Sequence, residues 1–140
     1  MSKLVTCVGT VYPWQWDHVG HMNVMWCVGK FDEATWNFFH HIGLTPTYLR
    51  QENRGMAAVH QTIQYRKELV AGDLVRVESR LLEMRDKVIR FVHTMVNVED
   101  ETPAAICELT GVHMDTAIRK STPFPPSVQE RAAALIAAVA

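Results

Sequence analysis

Apolar and polar positions change their period along this chain, and the changes mark the elements. Residues 4 to 12, LVTCVGTVY, are rich in β-branched side chains and read as a strand that Pro13 stops. From Val24 to Ile42 the period lengthens. Val24, Val28, Phe31, Thr35, Phe38 and Ile42 recur at steps of three and four and predict one apolar face of a helix. Lys30, Glu33, Asn37 and His40 fall mostly on its other face. Asn23 is placed to cap the first turn and Gly43 to follow the last. About nineteen residues make a helix of roughly 28 Å. Trp26, Trp36 and Phe39 widen its apolar surface, so it is expected to be deeply buried.

A Pro- and Gly-containing loop over 43–55 follows, and then the period shortens to two. MAAVHQTIQYR, LVRVESRLLEM, KVIRFVHTMVNV and AAICELTGVHM are the strand candidates. The second alternates cleanly, Val75, Val77 and Leu81 against Arg76, Glu78 and Arg80. VAGD, RDK and EDETP connect them and are short enough for antiparallel hairpins. Pro125-Pro126 closes the strand region. SVQE at 127–130 has the form of a capping box opening a short Ala-rich helix. The order is strand, long apolar helix, four antiparallel strands, with no internal repeat and no low-complexity linker. A helix this hydrophobic needs a sheet wrapped around it, and a sheet with two free edges invites a second copy.

Composition narrows the function. The 140 residues suit one domain, 1–140, with a core over about 4–125 and a C-terminal helix over about 127–140. Apolar residues make up 48% and charged ones 21%, and the formal net charge is −1. No Lys/Arg block accumulates, which argues against nucleic acid or an anionic membrane as the main partner. Cys7, Cys27 and Cys107 are far apart and odd in number, which favours free thiols in a reducing compartment. Neither MSKLVTCVGT nor AAALIAAVA has the length of a signal peptide core or a membrane span, so a cytoplasmic location is expected.

The densest chemistry lies in WQWDHVGHMN, residues 14–23. Within it WDHVGHMN supplies an aromatic, Asp, Gly, His and Asn (Trp16, Asp17, Gly20, His21, Asn23) immediately before the long helix. This pattern resembles the hotdog-fold acyl-CoA thioesterases of the 4-hydroxybenzoyl-CoA thioesterase-like group. The likeness continues in VGKFDEATW, IQYRKELVAGD and VHMDTAIRKSTPFP, and covers about residues 4–125. It implies an α+β hotdog fold: a five-stranded antiparallel sheet wrapped around one long central helix, plus the short C-terminal helix. It also implies a homodimer or homotetramer joined through sheet edges, an active site at that interface, an acyl-CoA substrate and no cofactor or metal. By the same resemblance the catalytic carboxylate falls on Asp17, and an oxyanion-binding amide on the first helical turn at Val24.

The chemistry is consistent with those residue types. Thioester hydrolysis needs a base for water or a carboxylate nucleophile, and donors where the carbonyl oxygen becomes negative. A helix N-terminus offers unpaired N–H groups and the positive end of a dipole. Gly20 permits a tight turn. Asn23 suits a cap or a catalytic donor, and His21 can orient substrate or Asp17, or simply pack in the loop. Trp16 and Trp26 flank the presumed thioester; with Trp14 and Trp36 they serve either packing or a pocket for an aromatic or cationic acyl group. Arg66, Lys67, Arg85, Lys87, Arg90, Arg119 and Lys120 are candidates for coenzyme A phosphates, with Arg119 and Lys120 favoured by their place beside the Pro-rich tail. Two other readings use the same residues. One is a metal-dependent hydrolase with Asp17, His18 and His21 as ligands and His60, His93 or His113 as a fourth. The other is a non-catalytic module that binds acyl-CoA or another small ligand.

Overall fold

A computed structural model describes residues 4–139, with side chains as far as residue 136. The long apolar stretch forms α1, Val24–His41, and its ends follow the local chemistry. The Asn23 side chain accepts a hydrogen bond from the Met25 amide at 2.8 Å, and Gly43 takes a φ of 97° just past the last turn. The strands are β1 (Leu4–Thr10), β2 (Arg54–Tyr65), β3 (Leu74–Met84), β4 (Val88–Asn97), β5 (Thr102–Asp115) and the two-residue β6 (Lys120–Ser121). They form one antiparallel sheet in the order β1-β3-β4-β5-β2, with β6 on the end of β5. The sheet curls around α1, as the hotdog resemblance implies. A last helix, α3 (Pro126–Val139), packs Val128 and Ala132 into the same core.

The face that α1 buries is not quite the predicted one. Cys27, Phe31, Ala34, Phe38 and Phe39 are buried, whereas Val24 is exposed and Val28 and Thr35 lie at the flank. Cys27 and Ala34 are small enough to let the helix settle against the sheet, and that contact decides the rotation. Phe38 stacks on Phe91 at 5.1 Å, and Phe39 meets the same ring edge-on at 5.4 Å. Each such fully buried ring contributes about 1.5–3 kcal/mol relative to an exposed one. Trp36 departs from the expected burial: it stands at the flank, 46% exposed.

Three connections also depart from expectation. The loop over 43–55 contains a helix, α2 (Pro46–Gln51), capped by Thr45, whose hydroxyl accepts from the Tyr48 amide. Six residues are too few for a period to show, although Thr-Pro was a readable start signal. VAGD does not close a hairpin, because β2 and β3 are not neighbours; residues 66–73 cross from one side of the sheet to the other. Ser127 is not an N-cap: α3 begins one residue earlier, with the Pro125 carbonyl accepting from Val128 and Gln129. All three cysteines are free and buried. Among the described residues no helix is long and apolar enough to cross a membrane.

Candidate active site

The loop before α1 is a small, tightly bonded hairpin. Pro13–Gln15 form one 3-10 turn, and buried Gln15 accepts from the Tyr12 amide through its side chain and from the Asn23 amide through its carbonyl. Trp16 and Met22 bridge across, and the Gly20 amide returns to the Asp17 carbonyl at 3.1 Å with Gly20 at φ 98°. The crossing segment 66–73 holds this hairpin from outside: the Leu69 carbonyl accepts from the Met22 amide at 2.8 Å.

This construction fixes Asp17. One carboxylate oxygen accepts from the Val19 amide at 2.8 Å and the other from Asn23 Nδ2 at 2.9 Å. The Asn23 bond and then the Val19 bond hold the Asp17 carboxyl below its ordinary range, so it is ionised at neutral pH. Two acceptor positions of the carboxylate remain open. Asn23 therefore does two things at once, since its Oδ1 caps α1 while its Nδ2 grips Asp17. Its own carbonyl accepts from the Trp26 and Cys27 amides. Val24 is left as the first-turn amide with no partner among the described residues. An ionised carboxylate and an unpaired helix N-terminal amide are thus tied to a single residue.

A cavity of about 340 Å³ opens beside that first turn. Val24 and Cys27 of α1, Tyr65 of β2, Leu69 of the crossing segment and Ala104 and Ala105 of β5 form its body. His21, Arg66, Lys67 and Glu68 also line it, with His21 Nε2 3.7 Å from a Glu68 oxygen. Lys67 is held to Asp100 at 2.6 Å. Burial pushes the Cys27 thiol up to about 11, so it is a poor nucleophile there.

The other predicted residues fall as follows. Trp16 is partly exposed on the hairpin and Trp26 half-buried against the core; neither lines this cavity. Trp14 stacks on Tyr12 at 4.4 Å, outside it. Arg119 ends the β5–β6 turn and Lys120 begins β6, at the opposite end of β5 from Ala104, so one chain does not bring them to Asp17. The alternative metal-ligand set is not assembled either. His93 is bonded to Ser79 and Thr35, and His113 to Tyr48 and the Thr122 carbonyl. Among the described residues no group of three ligand-type side chains is spaced to hold an ion. Sequence reading missed Tyr65, Leu69, Ala104 and Ala105, which are remote in the chain; only the break in alternation at YRKEL marked the place.

Comparison with known proteins identifies the family and the fold. Residues 11–132 match the Thioesterase-like superfamily. The chain belongs to that superfamily. Among curated relatives it is 32% identical over 112 residues to the L-carnitine dehydrogenase/betainyl-CoA thioesterase of Agrobacterium fabrum. That match takes in 80% of this chain but only 23% of the Agrobacterium protein, so the chain spans less than a quarter of its relative's length. A Staphylococcus aureus protein solved in complex with CoA superposes with a TM-score of 0.88 at 23% identity, over 96% of this chain and 85% of that one. The 1,4-dihydroxy-2-naphthoyl-CoA thioesterase of Synechocystis does so with a TM-score of 0.81 at 17% identity, over 92% and 95%. At these identities the two structures establish the shared fold.

Proposed function

We propose that the protein hydrolyses acyl-CoA thioesters with Asp17 as the reacting carboxylate and the Val24 amide as oxyanion donor. The observation that carries this reading is the double grip of Asn23, which fixes an ionised carboxylate against an uncapped amide. A depressed pKa weakens Asp17 as a proton acceptor and leaves it fully charged, which favours its role as nucleophile over general base. In that sequence an Asp17 oxygen attacks the thioester carbonyl and the C–S bond breaks. The coenzyme A thiolate then leaves and takes up a proton. Water hydrolyses the resulting anhydride to the free acid and restores the carboxylate. The Val24 amide and the α1 dipole stabilise the oxygen that becomes negative in both tetrahedral steps.

The protein acts as a homo-oligomer in this proposal. The edge strand β2 is exposed along most of its twelve residues, and antiparallel pairing with a second β2 would continue the sheet. Such pairing sets the Arg54 end of one chain beside the Tyr65 end of the other. Asp115 pairs in register with both Arg54 and Lys120, so Arg119 and Lys120 travel with that end toward the partner subunit's cavity. Arg66 and Lys67 serve the coenzyme A phosphates from within one chain, and Arg119 and Lys120 from across the interface. Thiol release from a panel of short, long, branched and aromatic acyl-CoAs tests the reading: turnover of at least one is expected, abolished in Asp17→Asn. Tight acyl-CoA binding without turnover of any panel member would leave a binding module instead.

A further inference from the structure

The flank of α1 that faces β2 carries another, smaller cavity. It lies between the helix and the inner face of β2, β4 and β5, and holds about 80 Å³. That is room for a head group and far below the few hundred Å³ of a whole ligand pocket. Asp32, Trp36, Phe39, Met56, Phe91 and Gly111 are among its lining, and Asp32 is the only charged side chain there. Asp32 is exposed and makes no ion pair among the described residues. Trp36 stands edge-on against Phe39 at 5.8 Å, which holds the indole at the cavity.

This cavity lies further along α1 than the one at the helix N-terminus and has no lining residue in common with it. Both are bounded by α1 on one side and by β2 and β5 on the other. Val24, Val28, Asp32 and Trp36 are spaced four apart and form one row along that flank. Eight residues separate Val24 from Asp32, about 12 Å along the axis, and the lean of helical side chains toward the N-terminus shortens the reach by a little.

We propose that the acyl group ends in a compact cation, specifically a quaternary ammonium, seated between the Asp32 carboxylate and the Trp36 indole. The inference rests on the thioesterase reading above and specifies its substrate class. A thioester oxygen on the Val24 amide, its carbonyl bond, two single bonds to the cation and an ion-pair contact add to about 11 Å laid end to end and span about 8–10 Å once bent at each bond. With the Asp32 side chain leaning back toward the helix N-terminus, that brings a betainyl group, in which one methylene separates carbonyl from nitrogen, within reach of the carboxylate. A long fatty chain has no room in a cavity this small. A neutral group of the same shape leaves the carboxylate without a partner, and a quaternary ammonium satisfies both the carboxylate and the ring face. The Agrobacterium relative whose name includes betainyl-CoA thioesterase agrees in chemistry.

Betainyl-CoA and 3,3-dimethylbutyryl-CoA separate shape from charge, since the second replaces the quaternary nitrogen with carbon. For the wild type we expect kcat/KM to favour betainyl-CoA by about tenfold or more. In Asp32→Asn and in Trp36→Leu that ratio should fall toward one, with circular dichroism confirming the fold. Equal rates for the two thioesters, or a wild-type ratio retained in Asp32→Asn, overturns the inference while thioesterase activity stands. Hydrolysis of other acyl-CoAs but of neither of these overturns it too. If no acyl-CoA is turned over, the reading beneath it fails and this one falls with it.

Discussion

Acidification should weaken this fold through one buried imidazole. His93 is fully buried between the rings of Phe31 and Phe91, in the middle of a chain of hydrogen bonds. Thr6 Oγ1 lies 2.7 Å from Ser79 Oγ, Ser79 Oγ 2.6 Å from His93 Nδ1, and His93 Nε2 2.8 Å from Thr35 Oγ1, whose hydroxyl donates to the Phe31 carbonyl at 3.0 Å. Because Thr35 gives its proton to that carbonyl, Nε2–H donates to Thr35 and Nδ1 accepts from Ser79. The ring is therefore neutral, and burial lowers its pKa from 6.5 to about 4. Between those values the unfolded chain takes up a proton that the folded chain refuses, so stability falls as pH falls. The contribution is intact above pH 6.5 and spent near pH 4. At 1.36 kcal/mol per unit the loss is roughly 3 kcal/mol, a large part of the stability of a small domain. Urea unfolding between pH 7 and 4, on wild type and on His93→Gln, measures it. The variant keeps a hydrogen-bonding side chain and loses the titration, so its stability should fall less steeply by up to one proton. Equal slopes, or an imidazole resonance of His93 titrating near 6.5, would refute the reasoning.

Replacing Asp17 by Asn keeps shape and hydrogen bonding but removes the negative charge. Steady-state kinetics should show kcat falling by about a thousandfold, about 4 kcal/mol, with KM far less affected; a folded variant keeping a tenth of its rate removes Asp17 from the mechanism. Asn23→Ala should lose about 1 kcal/mol in thermal or chemical denaturation through the missing cap. It also removes the leading cause of the low Asp17 pKa, so the acid limb of its pH–rate profile should move to higher pH; an unmoved limb would detach Asn23 from the carboxylate. Sedimentation equilibrium at micromolar concentration should give a dimer or tetramer, and a fully active monomer at nanomolar concentration is the contrary result.

Local signals in the sequence were legible where the chemistry is local. Asn23 and Gly43 bounded α1, and strict alternation bounded β3, because caps and pleats are decided within a few residues. The rotation of α1 was not legible, since Val24 and Ala34 exchange places only when the sheet chooses its contact. Nor was the order of strands: a short VAGD suits a hairpin and a crossing equally well, and the choice is made by β5 pairing with β2. The carboxylate, the cap and the turn of the site were readable because they lie in one ten-residue stretch. The walls of its cavity were not, because Tyr65, Leu69 and Ala104 meet Val24 only after the crossing segment is in place.

The two edges of the sheet are treated differently, and this bears on how assembly stops. Both edge strands slip in register, β1 against β3 between Val5 and Cys7 and β2 against β5 between Ala58 and His60, but at β1 the carbonyl of the intervening Thr6 is also taken by Asn37 Nδ2 of α1 at 2.8 Å. An occupied acceptor in a strand of seven residues makes a poorer template for another strand than the twelve residues of β2. If two chains join through β2 about a twofold axis, both ends of the joined sheet are then β1 edges. Strand-by-strand growth closes at two copies and does not run on into a fibre, although the same long exposed β2 left single would be an aggregation hazard.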